Sequence, residues 1–93
     1  TLHVLKRALQ VQSCAELVER AKTATNLSLE ASYLREISAL EFFPRLQRLI
    51  LRDNAVQDLS PLRDLPELRL LDVSYNNIRL IELPQPDLWV VGA

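Results

Sequence analysis

Of the side chains able to do covalent or metal chemistry, the chain holds a single histidine, His3, and a single cysteine, Cys14. A Cys-His nucleophile needs the imidazole placed to take the thiol proton. These two lie on separate stretches with no accompanying motif, and a thiol packed among apolar neighbours is the simpler reading of Cys14. One cysteine and one histidine also fall short of a zinc set, and no calcium-loop pattern occurs. Asp53, Asp58, Asp64 and Asp72 supply carboxylates, but they occupy different positions of the periodic pattern described below. Only Asp72 falls on an outward strand face, so the group reads as solvation, helix starts and turns. The one glycine, Gly92, excludes a glycine-rich phosphate cradle. Arg48, Arg52, Arg63 and Arg69 are the cations that a nucleic-acid backbone would need, yet acids interleave them and stacking aromatics are few. The sequence therefore predicts no catalytic, cofactor-binding or metal-binding residue, no enzyme activity and no nucleic-acid partner.

What the sequence does contain is repetition. Leu46, Leu49, Leu51, Asn54, Val56 and Leu59 are answered, each 22 residues later, by Leu68, Leu71, Val73, Asn76, Ile78 and Ile81. Leu49 and Leu51, like Leu71 and Val73, alternate at period two, so each pair points from one face of a short strand into a common core. Arg48, Ile50 and Arg52 must then point the other way. Asn54 and Asn76 fall where the strand ends, and an amide there can donate to and accept from backbone groups of the adjacent coil, a structural asparagine ladder. One such unit cannot bury its own apolar face, so the units must stack.

The register extends backward through Ala24, Leu27, Leu29, Ser32, Leu34 and Ile37, with Ser32 in place of asparagine. Leu40, Phe43 and Leu46 match Leu62, Leu65 and Leu68. Forward, a step of 20 maps Leu68, Leu71 and Val73 onto Leu88, Val91 and Ala93, which predicts a last repeat shortened across Pro84 to Pro86. The expected chain is thus three repeats and the start of a fourth strand, with the alternative that Pro84, Pro86 and Trp89 fold back as a terminal cap. An apolar strand edge from Trp89 to Val91 would be open to edge-to-edge self-association, shelter by a neighbour, or fraying.

The tract L-x-x-L-x-L-x-x-N-x-(L/V/I) resembles the leucine-rich repeat family, and its short 22-residue spacing resembles the internalin and phosphatase-regulator subclass. The resemblance implies an α/β solenoid, with a short parallel sheet on the concave face and short helices or 3₁₀ turns on the convex face. It also implies a protein-binding role. The most specific local match is Asp58-Leu59-Ser60-Pro61-Leu62, where Ser60 is placed to cap a short helix and Pro61 to occupy its first position. Ser38 and Glu41 read as a capping box in the preceding repeat, and Pro44 and Pro66 as the ends of the return segments.

Residues 1–25 lack the repeat and read as an N-terminal helical cap, with residues 26–93 as the repeats of the same domain. Leu2, Leu5 and Leu9 share one helical face with Val4 and Ala8 beside them, while Lys6 and Arg7 face outward. Ser13 followed by Glu16 is a capping box for a second helix running to about Lys22, with Cys14, Leu17, Val18 and Ala21 as its apolar stripe. At 93 residues and 48% hydrophobic content the chain suits one small domain. The net charge of -1 selects neither nucleic acid nor an anionic membrane, and no apolar run approaches the roughly 18 residues of a membrane span. A lone cysteine mildly favours a reducing, cytoplasmic compartment; of the two resemblances, internalins imply a bacterial surface and phosphatase regulators a cell interior. An initial Thr, the lack of a signal-peptide pattern and the unfinished fourth strand together suggest a piece of a longer protein.

With chemistry excluded, function falls to a surface. Outward strand positions form columns across a parallel sheet, about 4.8 Å from strand to strand. The expected columns are Asn26, Arg48, Leu70 and Val90; Ser28, Ile50, Asp72 and Gly92; and Glu30, Arg52 and Ser74 with Tyr75 at the adjoining turn. Ile50, Leu70 and Val90 are apolar without belonging to the core set, and Arg48, Arg52, Asp72, Ser74 and Tyr75 ring them. That composition predicts a concave-face site for a partner protein. Strand propensity alone is the plainer account of three aliphatic residues on a sheet. The alternative function is a regulatory or positioning domain of a larger enzyme-containing protein.

Overall fold

The computed structural model of the protein describes residues 2–79 and 83–92. Two helices, α1 (Leu2–Leu9) and α2 (Cys14–Thr23), precede four strands, β1 (Asn26–Ser28), β2 (Arg48–Ile50), β3 (Leu70–Asp72) and β4 (Trp89–Val91). Two 3₁₀ segments, Ser38–Phe42 and Ser60–Leu62, carry the chain back from β1 to β2 and from β2 to β3. The strands form one parallel sheet in the order β1-β2-β3-β4. Leu27 pairs with Leu49 and Leu49 with Leu71, so equivalent leucines of successive coils stand directly behind one another.

Repetition of the sequence becomes repetition of burial. Leu27, Leu49 and Leu71 from the strands, Leu29, Leu51 and Val73 just beyond them, and Leu40, Phe43, Leu46, Leu62, Leu65 and Leu68 from the returns form one buried cluster. No polar or charged residue among those described is buried with them. Ile78 and Leu88 pack against this cluster and stay partly exposed. The expectations for Ile81 and Ala93, and for the side chains of Leu2, His3, Val4 and Cys14, lie outside what is described.

The asparagine ladder is present and bidentate. The Asn54 amide donates to the carbonyls of Leu29 and Leu51, both at 2.9 Å, while its oxygen accepts from the Ser32 and Leu34 N–H groups at 3.0 Å. Asn76 repeats the donation to Leu51 and Val73 and accepts from Val56 N–H at 3.0 Å. Ser32, too short for this role, donates instead to the Glu30 carbonyl of its own coil. Immediately before each ladder position the chain turns through a left-handed residue: Asp53 at φ 59° and Tyr75 at φ 57°, with Ala31 at 52° before Ser32. This conformation costs a non-glycine residue roughly 1–2 kcal/mol, and the ladder bonds hold it.

Three local expectations are corrected. The first concerns the return turns, whose serines do not cap them. The N-cap positions fall on Ile37 and Leu59, neither of which makes a side-chain cap bond, and Ser38 and Ser60 are already inside the turns. The capping is done two residues earlier, where Asp58 Oδ1 accepts from Ser60 N–H at 2.9 Å and Glu36 accepts from Ser38 N–H. A 3₁₀ turn is one residue tighter than an α-helical one, and a carboxylate two residues ahead reaches its first free N–H as an Asx-type turn does. The Ser13–Glu16 box behaves nearly as expected: Ser13 accepts from Glu16 N–H, while Glu16 accepts from Gln12 N–H rather than Ser13.

These caps carry a pH prediction. Hydrogen bonds from Ser60, its N–H first, hold the Asp58 carboxyl below the ordinary 3.8, and bonds from Ser38, its hydroxyl first, hold Glu36 below 4.5. A carboxyl lowered in the folded state stabilises it above the unfolded pKa, and the contribution is lost as pH falls through the folded value. The melting temperature should therefore decline below about pH 4. Asp58→Asn keeps the accepting oxygen but cannot take up the proton, so its decline should be shallower than that of the wild type. Parallel curves would remove Asp58 from the acid response.

The second correction is in α2. Leu17 and Ala21 are buried, but Val18 is 55% exposed and lines a hollow with Phe42 of the first return turn, itself 67% exposed. The helix rests on that turn through its i, i+4 row, leaving the flank open.

The third correction is the register of the last strand. Leu88 does take the place of Leu68 after 20 residues, but Leu68 is followed by Arg69 before β3 begins, whereas Leu88 leads straight into β4. The strand step is consequently 19: Leu70 pairs with Trp89, Leu71 with Val90 and Asp72 with Val91. Val90 therefore turns inward and packs on the core, not outward with the concave face. No helical turn occurs among the described residues between β3 and β4, and Gln85 extends its amide to the carbonyls of Leu62 at 2.7 Å and Leu65 at 3.0 Å, tying its segment to the coil before it. Gly92, at φ 79°, follows β4 so close to Ser74 that an added Cβ would lie 2.2 Å from its hydroxyl oxygen. The terminal segment is thus a fourth strand and not a folded-back cap.

Candidate protein-binding face

Because the strands are only three residues long, each offers its first and third residue to the concave face and its second to the core. The corrected columns are Asn26, Arg48, Leu70 and Trp89, then Ser28, Ile50, Asp72 and Val91. Glu30, Arg52 and Ser74 continue them where the strands end. Ile50 and Leu70 are half-buried, Val91 is 37% exposed and Trp89 is 72% exposed. Four apolar side chains thus run diagonally over three adjacent strands. The predicted Arg48, Ile50, Arg52, Leu70, Asp72, Ser74 and Tyr75 do come together on or beside this face, and Val90 does not.

Trp89 and Val91 are the residues that sequence spacing missed. The run Trp89-Val90-Val91 directly after Leu88 marks a strand by its β-favouring residues, but being apolar at all three positions it does not show which residue faces the core.

Electrostatically the face is divided. At its turn end Arg52 lies 3.9 Å from the Glu30 carboxylate and 5.2 Å from the centre of the Tyr75 ring. Tyr75 is 72% exposed, so this aromatic is presented to solvent under a guanidinium. Asp72 Oδ1 accepts from Ser74 N–H at 2.9 Å, and bonding to Ser74, helped by the Arg52 charge, holds the Asp72 carboxyl below its ordinary value. At the other end Arg48 has no carboxylate within ion-pair distance among the described residues. It borders a shallow hollow of about 480 Å³ lined by Asn26, Ser28, Ile50 and Leu70 together with Leu27.

Arg63 closes the second 3₁₀ segment on the return between β2 and β3, Arg48 lies in β2 with Arg52 just beyond it, and Arg69 directly precedes β3. No group of three or more His, Cys, Asp or Glu side chains among the described residues is arranged to hold a metal ion. No described helix is long and apolar enough to cross a membrane.

Comparison with known proteins agrees with the coil geometry. Residues 44–85 match the family described as leucine-rich repeats in two copies. Comparison with the curated proteins gives no significant sequence match. Among solved structures, the chain superposes on internalin C2 of Listeria monocytogenes with a TM-score of 0.73 at 21% identity, over 85% of this chain and 36% of that one. It superposes on an internalin F of the same organism with a TM-score of 0.67 at 22% identity, over 85% of this chain and 30% of that one. The chain spans about a third of the length of these internalins, and its fold is that of leucine-rich repeat proteins.

Proposed function

We propose that this leucine-rich repeat chain is a noncatalytic module that holds a partner protein against the concave face of its sheet. The observation that carries the reading is the outward apolar group of Ile50, Leu70, Trp89 and Val91, laid across three strands and edged by Arg48, Arg52 and Tyr75. Tryptophan, tyrosine and arginine are the side chains that most often dominate binding energy at protein interfaces, and here all three stand on one face. The backbone strain at Tyr75 supports the same reading. Glycine or asparagine would sit there with less strain, and a large exposed aromatic does nothing for the core.

The test is a double substitution. Ile50→Glu with Leu70→Glu places two charges in the centre of the face without entering the buried cluster. Its thermal midpoint should stay within a few degrees of the wild type while proteins retained by the immobilised wild-type chain are lost. Unchanged retention by a folded double variant would remove the concave face from consideration.

A further inference from the structure

Resting on the concave-face reading, we infer that the segment bound there is acidic as well as apolar: an extended stretch of the partner that sets a carboxylate against Arg48 and an adjoining aliphatic or aromatic side chain over Ile50 and Leu70. The charges on the face are settled except at one point. Glu30 is matched with Arg52, and Asp72 is satisfied by the Ser74 N–H with Arg52 nearby. Arg48 alone among the outward strand cations has no carboxylate within reach among the described residues. It is also the one charged side chain lining the hollow, whose remaining side walls are the polar Asn26 and Ser28 and the apolar Ile50 and Leu70.

Covering this hollow with a purely apolar segment would desolvate an unpaired guanidinium, which is strongly unfavourable. A partner carboxylate removes that penalty and gains a charge-assisted, two-pronged hydrogen bond. One guanidinium matches the single charge of a carboxylate, whereas a phosphate dianion is better met by a cluster of cations that this part of the face lacks. Trp89, next to Leu70 in the same column, extends the apolar floor beyond the hollow, so an extended segment crossing the strands meets cation and apolar surface in succession.

The experiment is selection of a displayed random peptide library on the immobilised folded chain, in three forms: wild type, Arg48→Glu and Leu70→Glu. Peptides retained by the wild type should carry Asp or Glu within two residues of an aromatic or aliphatic residue, and their affinity should fall ten- to a hundredfold with Arg48→Glu. Reselection on Arg48→Glu should instead enrich Lys or Arg at the same place beside the same apolar residue. Peptides that depend on Leu70 but bind equally well with Arg48 reversed would overturn the acidic inference and leave the concave-face reading standing. If no selected peptide is sensitive to Leu70→Glu, both fail together. Single-tryptophan emission from Trp89 gives an independent readout, since an occupant of this column should shift it in the wild type and leave it unmoved in Leu70→Glu.

Discussion

Truncation of Leu71 to alanine is expected to abolish cooperative thermal unfolding followed by far-UV circular dichroism, and Leu51→Ala to do the same. Both side chains have no exposed surface. Leu71 sits in β3 with β2 on one side and β4 on the other, so the hole it leaves is walled by residues of three coils. Loss of a buried leucine typically costs about 2–5 kcal/mol, against a total stability of about 5–15 kcal/mol for a domain. In a stack where each coil touches only its neighbours, the loss falls on two interfaces and cannot be shared along the chain. Arg52→Ala is the control. Its 3.9 Å pair with Glu30 is exposed on both sides, and such pairs contribute about 0–1 kcal/mol. The arginine variant should melt within a few degrees of the wild type; equal midpoints for all three proteins would contradict the assignment of strand faces.

The same contrast shows what could be read from the residues before any coordinates. Leucine periodicity determines which side of each strand is buried, because a slip of one residue would expose Leu49 and Leu51 together, and the energy at stake in that choice is large. Leu27, Leu49 and Leu71 accordingly stand where the spacing puts them. The asparagines were legible for the same reason: one residue type at a fixed offset from the strand, able to donate and accept at once. Weaker signals misled. Ser-x-x-Glu is a capping pattern for an α-helix, and in the tighter 3₁₀ return its geometry is displaced, leaving the work to Glu36 and Asp58. The last strand depended on whether a single residue, the counterpart of Arg69, was present between leucine and strand. No periodicity survives to report that deletion, because Gln85 stands where the other repeats have Phe43 and Leu65. The candidate face inherited this error at Val90, which the pairing with Leu71 turns inward. Left-handed turns at Ala31, Asp53 and Tyr75 were hidden for a different reason: they are imposed by the ladder and carried by residues with no local preference for them, Asp53 excepted.

Asn54→Ala should be the most damaging polar substitution, exceeding Asn76→Ala. The Asn54 side chain bonds to five backbone groups, and two of them, the Ser32 and Leu34 N–H groups, have no other described partner. It donates to the Leu29 and Leu51 carbonyls and accepts from the Ser32 and Leu34 N–H groups, so it ties the first coil to the second. A buried or half-buried polar group left without a partner costs about 1–3 kcal/mol, and the two orphaned N–H groups alone bring the loss to at least about 2 kcal/mol. Asn76 accepts from one N–H, that of Val56, and its removal orphans fewer donors. The left-handed corner does not separate the two, since Asp53 and Tyr75 precede the two asparagines alike. Amide hydrogen exchange separates this account from a general loss of packing. In Asn54→Ala, protection should fall first at Ser32 and Leu34, one coil away in space and 20 or more residues away in sequence. The amides of Leu51 and Val73, bonded to Asp72 and Val91 through the sheet, should keep theirs longer. Uniform loss at all four positions would mean that Asn54 only fills space, and that the coils are joined by leucine contacts and strand pairing without the ladder.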